Sequence, residues 1–138
     1  MAREGDAGFR EIAHTADWEL QVWAPNLSSL LEQAARGMYV LAGTRLKTGP
    51  RLDRKIDLQT PDRESLLVEF LAELIYLGEV EGLGFDTFDL ALENEALHAQ
   101  LSGAPVESQI KEIKAVTYHN LAIRETERGL EANIVFDV

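Results

Sequence analysis

His14-Thr15-Ala16-Asp17 (HTAD) stands directly ahead of the alternating run WELQVWA, and a second acid, Asp137, sits one residue from the last position, Val138. A carboxylate is a hard oxygen donor. If folding brought Asp17, Asp137 and the terminal carboxylate of Val138 together, three anionic groups would repel one another unless a cation sat among them. Such an oxygen set suits Ca²⁺, Mg²⁺ or Mn²⁺ better than zinc. The pattern alone equally allows each acid to be a solvated strand-end residue.

Three other positions carry possible chemistry. His14 is open to three readings: a metal ligand, a cap for the local turn, or a satisfied polar residue. Lys114 is a catalytic cation, a phosphate grip, or a solvated side chain. Glu69 and Glu73 place like charges at helical i,i+4 spacing, which costs a few tenths of a kcal/mol and hints at a role for their stripe. His98 and His119 are expected inside strands, with structural roles. No cysteine is present, which removes disulfides, thiolate zinc sites and cysteine nucleophiles together. There is no glycine-rich phosphate loop, no Gly-x-Ser-x-Gly elbow, no His-x₃-His spacing and no EF-hand acid series.

These residues need elements to position them. Residues 1–8 are expected to be a flexible start, with one domain over 9–138. FREIAH suits a short first strand. In ADWELQVWA, Trp18, Leu20, Val22 and Ala24 point one way and Asp17, Glu19 and Gln21 the other. Asn26 as N-cap and Gly43 as stop frame a helix whose apolar residues recur from Leu27 to Ala42. Gly37 inside it implies close packing on a neighbour. RKIDLQT is a strand. A second helix follows, capped by Thr60 with Pro61 at its first position, or by Asp62. It is apolar on most sides, so it lies deep in the domain. GFDTFDLALENEALHAQLSG reads as a hairpin turning near Glu93–Asn94–Glu95, and APVESQIKE as a connector.

The tail from Ile113 to Val138 reads as a second, longer hairpin. A two-residue turn at Glu127–Arg128 sets Arg124 opposite Glu131, an attractive pair. The same register puts Asp137 opposite Tyr118, and leaves Ala132, Ile134, Phe136 and Val138 on the core side. The expected fold class is therefore α+β: one domain, a mostly antiparallel sheet of about seven strands, and two long helices packed on it.

Composition narrows the function. The chain has 138 residues and a formal net charge of −11, from 24 acids against 13 bases. A surface of that sign repels phosphate backbones, so direct nucleic-acid binding through a basic groove is excluded. No stretch is apolar for the roughly 20 residues a membrane span needs. A polar N-terminus and the absence of cysteine favour a cytoplasmic protein.

The stretches EIAHTADWELQVWAPNLSSLLEQAARGMYVL, LLVEFLAELIYL and IKAVTYHNLAIRETERGLEANIVFDV together resemble the archease family, over about Phe9 to Val138. HTAD near the start, IKAVTYH before the final hairpin and a penultimate acid form the specific combination. The resemblance implies a non-catalytic activator of an RtcB-type RNA ligase in tRNA splicing, one that promotes the ligase's guanylylation and multiple turnover. RNA would be contacted indirectly if at all. It further implies a divalent-metal site, Ca²⁺ first with Mg²⁺ or Mn²⁺ as alternatives, on Asp17, Asp137 and the Val138 carboxylate. Lys114 matches the family's functional lysine, and His14 matches the motif. The alternatives are a metal-dependent hydrolase and a metal-free, chaperone-like interaction module.

Overall fold

The computed structural model describes residues 6–12, 18–94 and 96–138. Two helices and nine strands are seen among them, in the order β1 (Gly8–Ile12), β2 (Trp18–Ala24), α1 (Leu27–Ala42), β3 (Arg45–Leu46), β4 (Leu52–Gln59), α2 (Arg63–Glu81), β5 (Leu83–Glu93), β6 (Ala96–Ser108), β7 (Ala115–Thr117), β8 (Arg124–Thr126) and β9 (Gly129–Asp137). The fold is α+β with antiparallel pairing throughout. The count exceeds seven because β3 is a two-residue strand and the expected long C-terminal arm is broken into β7 and β8. β1 opens at Gly8, at the edge of the segment expected to fray.

The strands form two sheets. In the first, β9 is central, with β2 and then β1 on one side and β7 and β8 on the other. In the second, β6 is central, flanked by β4 and β5 and continued against β3. β6 runs on through Ser108, so most of the expected connector is strand. Each helix touches strands of both sheets, which makes the helices the joint between them.

Both helices begin and end where their caps dictate. The Asn26 carboxamide accepts from Ser29 N–H and the Asp62 carboxylate from Ser65 N–H, each satisfying a donor that has no partner inside the helix. Gly43 and Gly82 adopt the left-handed conformation that closes each C-terminus. α2 buries Leu66, Leu67, Val68, Phe70, Leu71, Leu74 and Leu77, and so is apolar around most of its girth. In α1, a Cβ at Gly37 would lie 2.6 Å from Leu20 Cδ2 and 2.9 Å from Phe9 Cγ. The missing side chain is what lets α1 settle on β1 and β2.

The Ser65 backbone N–H, with its hydroxyl second, holds the Asp62 carboxyl below the usual carboxylate range. A depressed folded pKa means a contribution that is complete above the unfolded Asp range and is lost as pH falls through the folded value. Asp62→Asn, which keeps a capping oxygen, should therefore flatten the acid side of a stability–pH curve recorded by circular dichroism melting. An unchanged acid limb would show that the charge at this cap is irrelevant.

The C-terminal hairpin differs from expectation in one respect that bears on function. Arg124 faces Glu131 and Thr126 faces Gly129, as a two-residue turn requires. Beyond Ile123 the register does not continue. Asp137 faces Ala115, not Tyr118. Residues between β7 and β8 leave the ladder: Asn120 has φ of 52° and Leu121 N–H donates to the Tyr118 carbonyl. Ile123 is buried, its N–H donates to Glu64 and its carbonyl accepts from Arg63, so the first turn of α2 takes over its backbone partners. His119 lies in this excursion and not in a strand, whereas His98 is in β6 beside Asp57 at 2.7 Å.

Candidate functional site

The antiparallel register of β2 and β9 runs from Ala24 opposite Leu130 to Trp18 opposite Phe136. The start of the second strand and the end of the last are thus side by side, although more than a hundred residues separate them. Alternation sets the faces. Leu20, Val22, Ala132, Ile134 and Phe136 are buried, Val138 packs against the core, and Asp137 is exposed on the opposite face. On that outer face Asn133 donates to Glu19 at 2.6 Å and accepts from Arg124 at 3.4 Å, cross-linking the strands, and Val135 lies between Asn133 and Asp137.

His14 and Asp17 lie outside the described residues. The structure therefore places Asp137, Val138 and Lys114 of the expected set. Lys114 and Asp137 are brought together: the Lys114 N–H donates to the Asp137 carbonyl at 2.8 Å, and the Lys114 side chain is exposed. Among the described residues no three histidine, aspartate or glutamate side chains converge as a metal-holding group.

Residues 110–114 form a strap across this end of the molecule. α1 runs back along β2, so its C-terminus returns to the level at which β2 began. There the Ala42 carbonyl accepts from both Ile110 N–H (2.8 Å) and Lys111 N–H (3.0 Å). Ile110 lies over Gly43, where a Cβ would meet Ile110 Cδ1 at 2.7 Å. Ile113 is buried in the core. The Lys111 ammonium lies 5.2 Å from the centre of the Trp18 ring, a cation–π distance. One five-residue segment thus touches the end of α1, the start of β2 and the end of β9.

Sequence reasoning passed over Lys111. A signal was available: Ile110-Lys111 and Ile113-Lys114 repeat the same apolar–cationic step three residues apart. Only the strap's path shows that the first lysine turns to Trp18.

A cavity of about 190 Å³ lies behind the strap, lined by residues that include Met38, Tyr39, Leu74, Gly78, Gln109 and Ile113. Asp137 is not part of its lining. Burial pushes the Tyr39 phenol well above its usual range, the Phe85 backbone offsetting this only in part, and its oxygen has no partner of good geometry. The recess holds a neutral phenol, and Glu79 and Glu112 also contribute to its lining.

Known proteins resemble this chain along its length. Residues 9–138 match the model of the Archease protein family (MTH1598/TM1083). A protein named archease from Methanosarcina barkeri is 35% identical over 143 residues, covering 94% of this chain and 95% of that one. Its namesake from Methanosarcina mazei is 32% identical, with 94% and 95% covered. The solution structure of protein 1598 from Methanobacterium thermoautotrophicum superimposes with a TM-score of 0.66 at 23% identity, over 95% of this chain and 99% of that one, a likeness of fold.

Proposed function

The chain belongs to the archease family, and from that premise we propose that it is a non-catalytic activator of an RtcB-type RNA ligase in tRNA splicing. It promotes guanylylation of the ligase and its repeated turnover, working through a divalent-cation site at the paired ends of β2 and β9. The observation that carries this reading is the register: Trp18 opposite Phe136. Asp17 is one covalent step before the first, and Asp137 one step after the second.

The donor chemistry fits a hard cation. Asp137 is exposed and adjacent in sequence to Val138, and both are oxygen donors, as is Asp17; Ca²⁺, Mg²⁺ and Mn²⁺ take such ligands. A bound divalent cation supplies a positive centre that offsets the gathered carboxylates. Lys114, fixed to the Asp137 carbonyl through its own backbone, holds an exposed ammonium beside that centre. His14 belongs to the same motif as Asp17 and is assigned a supporting role. The net charge of −11 suits docking on the basic, RNA-binding cleft of a ligase, with RNA and activator competing for it.

Adding the protein to its cognate ligase should raise ligation under multiple-turnover conditions while leaving a single turnover of preguanylylated ligase nearly unchanged. If turnover is the same with and without it, the activator role fails. Hydrolysis of phosphate esters by the isolated protein would point instead to a metal-dependent hydrolase.

A further inference from the structure

We propose that the recess behind the strap is an anchor pocket for an arginine side chain presented by a basic partner protein. The identity of that partner rests on the ligase reading above; the pocket's preference for a guanidinium group does not.

The recess has a floor and a rim of different chemistry. Met38, Leu74, Leu83 and Ile113 line it and are buried, whereas Glu79, Gln109 and Glu112 line it and are exposed. Tyr39 adds an oxygen that is buried without a hydrogen-bond partner. An occupant that satisfies all of these has an apolar stem and a polar head. The charge of that head follows from the lining. No lysine, arginine or histidine takes part in it, and neither Glu79 nor Glu112 makes a hydrogen bond or ion pair with any described residue. Lys111, next to Glu112 in sequence, holds its ammonium over the Trp18 ring instead. The last turns of α1 and α2 both reach the recess, through Ala42 and Glu79, and neither turn carries a basic residue. Each helix C-terminus adds about half a negative charge. The recess therefore repels anions and draws a cation. Among the described residues no three acids converge, so a metal ion is poorly served. A guanidinium suits better than an ammonium: it brings five N–H donors against three, and it sheds its water more readily.

Gly78 gives a separate sign that the space is kept open. It lies inside α2, where glycine is the poorest helix former after proline. Its φ is not positive, and a Cβ there would meet only the Leu83 carbonyl oxygen at 3.7 Å, an ordinary contact. Neither backbone nor packing requires the glycine, and the recess is what its missing side chain leaves free. At about 190 Å³ that space is smaller than the roughly 300 Å³ at which small-molecule pockets begin. It admits one long side chain and not a nucleotide. Exposed Val40, Tyr76, Val80 and Ile110 each adjoin a lining residue in sequence. Apolar surface around a pocket that seats an arginine is the anatomy of a protein interface, and a free small cation would leave it bare.

Titration of the full chain with n-butylguanidinium, followed by NMR of labelled tyrosine rings and methyl groups, tests the pocket. The Tyr39 ring and Met38 methyl signals should shift and saturate. n-Butylurea keeps the shape without the charge and should bind about tenfold more weakly. Glu79→Gln combined with Glu112→Gln should also weaken the probe about tenfold, and Gly78→Leu, which fills the recess, should abolish saturation. If Gly78→Leu does not fold, the glutamine pair, changed only at exposed positions, decides alone. Equal binding of the urea, or shifts that leave Tyr39 and Met38 unmoved, overturns the pocket. The cognate ligase should bind the glutamine pair about tenfold less tightly than a control lacking two acids elsewhere, Asp89→Asn with Glu93→Gln. Equal affinity of the two overturns the docking role. A parent protein that does not bind the ligase overturns the ligase reading and the partner with it, while the probe titration still decides the pocket.

Discussion

Asp137→Ala is expected to abolish stimulation of multiple-turnover ligation while leaving the protein folded. The side chain is exposed and makes no hydrogen bond or ion pair with any described residue. Its backbone carbonyl, which accepts from Lys114 N–H, survives the substitution. Replacement of such a surface group shifts stability by no more than about 0.5 kcal/mol. Loss of a carboxylate from a small oxygen donor set is a different matter. On the metal-site reading proposed above, the cation would lose one of its three anionic protein ligands and keep only Asp17 and the Val138 carboxylate, with water in place of a charged oxygen donor. Asp137→Asn keeps the shape and removes the charge, and should lose most of the stimulation too. The decisive pair of measurements is ligation turnover with the cognate ligase and the melting temperature of each variant. Full stimulation by Asp137→Ala would remove the penultimate acid from the mechanism, and loss of fold would assign it a structural role.

Much of the architecture was legible because its signals are local. Asn26, Gly43 and Asp62 act within one helical turn, and the structure uses all three as caps. The alternation of Leu20, Val22 and Ala24, and of Ala132, Ile134 and Phe136, needs only the two-residue period of a strand to show which side is buried. The Arg124–Glu131 register follows from turn length and charge. What stayed hidden depends on long-range partners. Nothing near Tyr118 in sequence reports that Glu64 and Arg63, some sixty residues earlier, will take over the backbone of Ile123 and pull the strand out of its ladder. The pairing of β2 with β9 is likewise a matter of topology. So is the path of residues 110–114, whose anchors lie in α1 and β9. The expected ligands were named by resemblance to a family, whereas the contact of Lys111 with Trp18 emerged only from the fold.

Phe136→Ala should have the opposite phenotype to its neighbour's: a large loss of stability with the functional surface chemically intact. Phe136 is fully buried, lies on the central strand of its sheet, and pairs with Trp18 on one side and Val116 on the other. Truncating a buried phenylalanine to alanine costs about 3–5 kcal/mol, from lost transfer energy and from the cavity left behind. Against a total of about 5–15 kcal/mol for an ordinary domain, that is about a fifth or more of the stability. The melting temperature of a chain this size should fall by about 10 °C or more. Phe136→Leu, which fills most of the space, should lose roughly a third as much. Stimulation by Phe136→Ala should return on cooling, because the fault lies in the folded fraction and not in the ligands; Asp137→Ala should stay inactive at every temperature. Chemical denaturation and ligation assays run at two temperatures separate the cases. If Phe136→Ala melts with the parent, the side chain is not in the core and the inward–outward alternation of β9 is wrong. That alternation is what sends Phe136 into the core and leaves its neighbour Asp137 exposed.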